Sequence, residues 1–177
     1  PEVYSFGGMF LTNIYTSFFK IFVLISSFFL LLLSRNMIRD KRDRAFEYCA
    51  VFLSGILFFL CSISSVNFIT LFVSLESMSI CCYLLMTFVK RVQSQREIWG
   101  YLVQNIVVSF LYLIGLSILI GLCGCLNYAD ITNCLSTINA NSSELLLTLS
   151  LMFIMCSLFC KLGLAPFSGW VANVFSN

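Results

Sequence analysis

The chain has 177 residues, of which 60% are apolar and only 10% are charged, and its mean hydropathy is +0.98. A soluble domain carries about 25% charged residues. The composition therefore excludes a soluble protein and indicates an integral membrane protein. The net charge of +2 is too small to indicate a nucleic-acid-binding surface. We expect membrane lipids and other apolar chains as partners, and no nucleic acid.

Five apolar segments are long enough to cross a bilayer, which takes about 20 apolar residues in helical form. The first contains Lys20 and resembles a signal peptide, but no small-residue cleavage site follows it and four more segments do. We therefore predict an all-α, polytopic bundle of transmembrane helices that forms a single domain over residues 1–177. The predicted spans are residues 10–34, 45–65, 66–89, 98–124 and 145–165, and a C-terminal tail follows at 166–177.

Basic residues collect on one side of these five spans. The loops after the first and third spans hold eight of the ten basic residues, whereas the loops 61–66 and 126–144 hold Asp130 and Glu144 and no basic residue. Short loops rich in lysine and arginine stay on the cytoplasmic side of a membrane. The asymmetry therefore supports the count of five spans and sets their direction. The eight basic residues are Arg35, Arg39, Lys41, Arg42, Arg44, Lys90, Arg91 and Arg96.

Two ionisable side chains interrupt the apolar spans. Glu76 lies in the third span and Lys161 in the fifth, and a charge at the centre of a spanning helix costs about 2.5–3.5 kcal/mol. Gly163 and Pro166 follow Lys161 and predict a break in that helix. Broken backbone at membrane depth occurs where protein shields it or where it lines a wet cavity, and it is typical of transporters. The pattern predicts a proton or ion path through Glu76 and Lys161.

A structural alternative is an ion pair between Glu76 and Lys161 that only fastens the third span to the fifth. Such a pair stabilises a protein less well than apolar packing, because desolvation consumes most of the Coulomb attraction, so we favour the ion path. Lys20 lies toward the end of its span, where its stem can reach the surface, and we assign it no function.

The nine cysteines include no C-x-x-C pair, and the chain has no histidine to complete a metal site. We therefore predict no bound metal. Most of the cysteines lie within apolar spans, where a thiol behaves as a small apolar group. Cys123, Cys125 and Cys134 are the exceptions, because they lie near one membrane surface.

Two motifs carry a resemblance to a known family. They read Leu71-Phe-Val-Ser-Leu-Glu76-Ser-Met-Ser-Ile-Cys-Cys-Tyr83-Leu-Leu and Phe159-Cys-Lys161-Leu-Gly-Leu-Ala-Pro166-Phe-Ser-Gly-Trp170. Together they resemble NADH dehydrogenase subunit 2, an antiporter-like membrane subunit of respiratory complex I. The leucine–glutamate, methionine–serine and tyrosine–leucine pairs in the first motif favour subunit 2 over subunits 4 and 5 and over the multisubunit sodium/proton antiporters.

The resemblance implies an antiporter-like inverted-repeat fold of fourteen helices, in which the five spans are helices 3 to 7 and the last is broken near Lys161–Pro166. It also implies that Glu76 and Lys161 relay protons: desolvation favours the neutral amine, and an approaching carboxylate favours the protonated one. No cofactor is expected in this chain, because NAD, FMN, iron–sulfur clusters and ubiquinone belong to other subunits of such a complex.

The resemblance places the chain in the mitochondrial inner membrane, with the basic loops on the matrix side. Composition gives separate support, because Phe, Tyr, Met, Ile, Asn and Lys number 62 residues against 23 for Gly, Ala, Arg and Pro. Such a skew is typical of proteins translated from AT-rich organelle genomes.

The sequence departs from the family in two respects. Ser168 stands where the family has a histidine, and the second repeat has no counterpart before Asn177. The resemblance therefore predicts a split subunit, in which a second polypeptide completes the fold beside other membrane-arm subunits, with truncation of the sequence as the alternative. Two other functions stay open: a structural membrane-arm piece without its own proton path, and a cation/proton antiporter subunit. A stand-alone transporter would need an internal repeat, which the five spans do not show.

Overall fold

The computed structural model describes residues 2–40, 44–89, 95–137 and 143–164. These residues form six helices and one two-stranded hairpin. Five of the helices are long and apolar enough to cross a membrane, which confirms the predicted all-α architecture and the count of five spans. The elements are β1 Val3–Ser5, β2 Phe10–Thr12, α1 Ile14–Asp40, α2 Ala45–Ser64, α3 Phe68–Val89, α4 Gln95–Cys123, α5 Tyr128–Thr137 and α6 Ser143–Leu162.

The membrane-spanning parts agree with the predicted spans within a few residues at most ends. They are Ile14–Arg35, Ala45–Ser64, Phe68–Phe88, Trp99–Cys123 and Glu144–Leu162. Two predicted ends are wrong. The first span begins at Ile14 instead of residue 10, because β2 occupies Phe10–Thr12. The fifth ends at Leu162 instead of residue 165, because Gly163 stops the helix.

The N-terminal residues form a hairpin that the sequence analysis did not predict. Its strands pair Val3 with Thr12 and Ser5 with Phe10 in antiparallel register. The Val66 backbone N–H donates to the Met9 carbonyl oxygen at 3.0 Å. The hairpin is therefore fastened to the short connection between α2 and α3.

Asparagine precedes three of the helices, at positions 13, 67 and 127. The Asn67 Oδ1 accepts a hydrogen bond from the Thr70 backbone N–H at 2.7 Å, and Asn127 Nδ2 donates to Asp130 Oδ2 at 2.9 Å. An asparagine at the N-cap satisfies a backbone donor that the first helical turn leaves unpaired. The Asn67 cap explains why α3 begins where it does, whereas the Asn127 bond joins two side chains at the start of α5.

The chain divides into two compact units, residues 1–91 and residues 92–177, and the single domain predicted from the sequence stays a prediction. In the first unit, α2 packs against α3. The Ser54 Oγ and Cys81 Sγ atoms are 3.4 Å apart, and a Cβ atom on Gly55 would lie 3.3 Å from the Cys81 Cβ. The rings of Tyr48 and Phe88 meet edge to face at 6.2 Å.

In the second unit, α4 packs against α6. Tyr112 and Leu119 of α4 are 1% and 0% exposed, and Ser150 and Ser157 of α6 are both 0% exposed. The two helices approach closely at Gly115, where an added Cβ atom would come within 2.8 Å of the Ser150 carbonyl oxygen. Small residues at such a crossing let two membrane helices pack with their backbones in near contact.

The segment 126–144 was predicted to be a loop, and this prediction is wrong in part. It contains the ten-residue helix α5, Tyr128–Thr137. Tyr128, Ile131 and Cys134 recur every three residues and so lie along one side of α5. Ile131 is buried, whereas Asp130 on another side is exposed. A short helix with one apolar side is typical of a segment that lies at a membrane surface.

Candidate functional site

Glu76 lies near the middle of α3. At 1.5 Å per residue it is about 12 Å from Phe68 at one end of the helix and about 20 Å from Val89 at the other. Its side chain is half-buried. The helix around it is otherwise apolar or hydroxyl-bearing, so Glu76 is the single ionisable carboxylate within this span.

The side chain of Glu76 extends from the side of α3 that faces away from α2. The residues of α3 that meet α2 include Cys81 and Phe88, and the buried Ser74 is spaced seven residues before Cys81 on the same side of the helix. Glu76 follows Ser74 by two residues, which is about 200° around the helix axis. By this spacing, the Glu76 side chain starts from the side of α3 opposite to the contact with α2.

Lys161 lies in the last turn of α6, and its side chain is half-buried. The helix stops directly after it. Gly163 has a φ of 66°, its backbone N–H donates to the Cys160 carbonyl oxygen at 3.1 Å, and the Leu164 N–H donates to the Phe159 carbonyl oxygen at 3.1 Å. This pair of bonds is a Schellman motif, which ends a helix through a left-handed glycine.

The helix end gives Lys161 a favourable electrostatic position. The partial negative charge at a helix C-terminus stabilises a cation in the last turn. The sequence predicts a break within a longer helix at this place; α6 ends at Leu162, and the break itself stays a prediction. Pro166, the other residue predicted to cause the break, lies outside the described residues.

Replacing Gly163 by alanine is expected to destabilise the end of α6. A left-handed conformation costs an L-residue about 1–2 kcal/mol, so the last turn should fray. Backbone amide exchange at residues 163 and 164 should become faster, and the thermal midpoint of the protein should fall. Gly163→Asn is the matched control, because asparagine tolerates this conformation better. Equal effects of both substitutions would contradict the assignment of the cap.

Lys161 continues the side of α6 that packs against α4. Ser150, Ile154, Ser157 and Lys161 follow one another at intervals of four, three and four residues, which keeps them on one side of a helix. The first two approach Gly115 of α4 closely. The lysine side chain therefore begins at the edge of the α4–α6 seam.

Polar side chains of α4 lie along the same seam. Tyr101, Asn105, Val108 and Tyr112 share one side of α4 by their spacing, and the last two are buried. Successive spans cross the membrane in opposite directions, so Lys161 is at the level of α4 residues before Gly115, among them Asn105. The amide of Asn105 and the phenols of Tyr101 and Tyr112 give this side of α4 hydrogen-bond donors and acceptors that a purely apolar seam would lack.

Ser157 is a feature that the sequence analysis missed. Its Oγ is buried and has no hydrogen-bond partner among the residues that the structure describes. The other fully buried serine of α6, Ser150, donates to the Leu147 carbonyl oxygen at 2.7 Å. Ser157 stands one helical turn before Lys161 on the same side of α6, and this spacing is the signal that could have identified it.

The structure describes Glu76 within the first unit and Lys161 within the second. The predicted pairing of these two side chains stays a prediction. Each of them is half-buried in a span that is otherwise apolar. What the second unit does bring together is Lys161, Ser157 and the helix end at Gly163.

A family model described as "NADH:quinone oxidoreductase/Mrp antiporter, TM" matches residues 65–177 of the chain. The matched region begins just before α3 and contains both Glu76 and Lys161. It is well over half of the sequence.

Individual relatives agree with this match. NADH-quinone oxidoreductase subunit N of Ruthia magnifica subsp. Calyptogena magnifica is 30% identical over 177 residues, which are 99% of this chain and 37% of the relative. NAD(P)H-quinone oxidoreductase subunit 2 of Synechococcus sp. (strain CC9311) is 30% identical over 172 residues, which are 97% of this chain and 32% of the relative. The chain thus spans only about a third of the length of these relatives.

A solved structure shares the fold. One chain of the membrane-bound sulfane sulfur reductase, an archaeal respiratory membrane complex, superposes with a TM-score of 0.65 at 24% identity. The match covers 72% of this chain and 25% of that chain. At this identity the likeness shows the fold alone.

Proposed function

Because the chain belongs to the NADH:quinone oxidoreductase/Mrp antiporter transmembrane family, we propose that it forms part of the proton-translocating membrane arm of a respiratory NADH:quinone oxidoreductase. Glu76 and Lys161 take part in moving the proton. The observation that carries this proposal is Lys161: a half-buried amine in the α4–α6 seam, beside a helix end and one turn from a buried hydroxyl. Polar and ionisable groups inside a membrane span are costly and usually belong to an ion or proton path.

The chemistry requires an amine that both takes up and gives up a proton. Removal from water favours the neutral amine, and a carboxylate that approaches favours the charged one. In the proposed relay, a change in the separation of Glu76 and Lys161 loads or releases a proton. The energy comes from electron transfer in other subunits, where NAD, FMN, iron–sulfur clusters and ubiquinone act.

The proposed setting is the mitochondrial inner membrane, where the chain acts as the counterpart of subunit 2 and contacts other membrane-arm subunits. The AT-rich residue usage supports an organellar origin, although the relatives described above are bacterial. The positive-inside rule then directs the basic loops to the matrix. Protease accessibility of these loops in intact and inside-out inner-membrane vesicles tests the orientation.

A cation/proton antiporter subunit is the second candidate, and the description of the family favours it because that family includes the Mrp antiporters. The two candidates differ in what drives the proton. Proton movement that follows NADH oxidation supports the first, whereas proton movement driven by a sodium gradient without NADH supports the second. Proton-pumping measurements on Glu76→Gln and Lys161→Ala test both against a purely structural role.

Ser157→Ala is expected to slow proton pumping several-fold without preventing assembly. A buried hydroxyl without a protein partner is normally satisfied by an ordered water molecule, and such a water one turn from Lys161 would connect the amine to the rest of the path. Ser150→Ala is the matched control, because Ser150 is equally buried on the same side of α6 but is bonded to its own helix. If both variants pump alike, Ser157 has no part in the path.

A further inference from the structure

Polar residues recur at every seventh position along the first membrane-spanning helix. They are Asn13, directly before α1, and Lys20, Ser27 and Ser34 within it. A spacing of seven keeps residues on one side of a helix. Ser27 is buried and the other three are half-buried, and α1 packs against α2 and β2. The polar side of α1 therefore faces the rest of the first unit. The opposite side is apolar and exposed, and its residues include Phe18, Phe22 and Phe29.

Lys20 can bring its amine close to the membrane surface at which α1 begins. It lies six residues past Ile14, which is about 9 Å along the helix. Side chains of a helix lean toward its N-terminus, and for α1 this is the direction of the nearer surface. The four-carbon stem of the lysine therefore carries the charge toward the level of the lipid headgroups.

No carboxylate of the described residues neutralises this amine. Lys20 has no ion pair or hydrogen bond with any residue that the structure describes. Glu2, the acidic residue beside the hairpin, instead accepts a hydrogen bond from Asn13 Nδ2 at 3.3 Å. The first turn of α1 contains no acidic residue, so the partial positive charge of the helix N-terminus adds to that of the amine. This end of α1 thus has positive charge that an external anion can balance.

We propose that Lys20 binds the phosphodiester group of a membrane phospholipid whose acyl chain lies along α1 toward the centre of the bilayer. The phosphate supplies the negative charge that the described residues lack at this position. A lysine amine and a phosphate oxygen form a charge-assisted hydrogen bond, which is stronger than one between neutral groups.

The residues of α1 below Lys20 fit the acyl chain of such a lipid. Leu24 and Phe28 follow Lys20 by four and eight residues, which places them on the adjoining side of the helix, deeper in the membrane. Both side chains are exposed. A phospholipid held by its phosphate at Lys20 would cover them with its acyl chain. A free phosphate ion would use none of this apolar surface, so the lipid is the better ligand.

Photo-crosslinking tests the proposal on the protein purified with its partner subunits and placed in phosphatidylcholine vesicles. One probe is a phosphatidylglycerol with a diazirine in its acyl chain, and the other is a diacylglycerol with the same chain and no phosphate. Mass spectrometry then compares probe attached at Leu24 with probe attached at Phe22. These two side chains are 49% and 65% exposed and lie at nearly the same depth on opposite sides of α1.

The Leu24-to-Phe22 labelling ratio is expected to be about fivefold higher for the phosphatidylglycerol probe than for the diacylglycerol probe, which corresponds to about 1 kcal/mol. Lys20→Ala should remove this difference between the probes. Lys20→Arg should keep it, because a guanidinium group also binds phosphate. The variants are compared at equal amounts of assembled protein, and the comparison of the two probes on the parent protein requires no variant.

Three results would overturn the proposal: equal labelling ratios for the two probes, an unchanged difference in Lys20→Ala, or loss of the difference in millimolar inorganic phosphate. The last result would indicate a site for a free anion. None of these measurements depends on proton pumping, so the lipid site and the proposed function stand or fall separately.

Discussion

Lys161→Ala is expected to lower the rate of proton pumping during NADH oxidation by about tenfold or more, since each 1.4 kcal/mol added to a proton-transfer barrier costs a factor of ten in rate. The substitution removes the amine at the edge of the α4–α6 seam and leaves Glu144 as the one acidic or basic side chain of α6. The measurement compares proton uptake with NADH oxidation in membranes that contain equal amounts of assembled complex.

Glu76→Gln is expected to reduce the same rate of proton pumping, because the amide cannot alternate between charged and neutral forms. The double variant tests the predicted pairing. If the two side chains act on one proton, Glu76→Gln combined with Lys161→Ala should pump no worse than Lys161→Ala alone, since residues of one unit give non-additive effects. Independent roles would instead make the losses multiply.

Two substitutions serve as matched controls. Lys20→Ala removes another half-buried lysine from a span, and Glu144→Gln removes an exposed carboxylate at the first turn of α6. Both should pump normally. Normal pumping in Lys161→Ala and in Glu76→Gln as well would favour a structural membrane-arm piece, and equal losses in all four variants would indicate a general defect of assembly.

The spans and the two charged residues could be predicted from the sequence because they depend only on the length of apolar runs and on the residue types within them. A bilayer requires about 20 apolar residues per helix, and four of the five spans begin within a few residues of the predicted start. Glu76 and Lys161 were identified because an ionisable group in such a run is rare. Neither argument requires knowledge of packing.

The hairpin and α5 could not be predicted from the sequence, because they depend on pairing and packing between residues. Phe10–Thr12 reads as the start of an apolar run, and only the pairing with Val3–Ser5 makes it a strand. The apolar residues of α5 are spaced by three over just ten positions, too short a pattern to separate a helix from a loop. The spacing from Lys161 singles out Ser157 in the sequence, but only the structure shows that its Oγ lacks the bond to its own helix that Ser150 makes.

Among the glycines that the structure describes in α4, Gly115 is expected to be the most sensitive to substitution by alanine. The added Cβ atom would lie 2.8 Å from the Ser150 carbonyl oxygen, 2.9 Å from Ile154 Cγ1 and 3.0 Å from the Phe153 Cβ. Overpacking of this kind costs about 1–3 kcal/mol, and here the nearest atom belongs to the backbone, which cannot turn aside. The thermal midpoint of the purified protein should fall accordingly.

Gly121→Ala is the matched control in the same helix, because its added Cβ atom meets nothing within 4 Å among the described residues. That variant should be as stable as the parent or slightly more so, since alanine is the better helix former. Combining Gly115→Ala with Ile154→Ala should restore only part of the loss, because the clash with the Ser150 carbonyl oxygen persists. Full restoration would show that side-chain crowding sets the spacing of α4 and α6. Partial restoration would mean that the direct approach of the two backbones sets the spacing of α4 and α6. In that case the added Cβ atom of Gly115→Ala should displace α6 together with Lys161, and this variant should also pump protons more slowly.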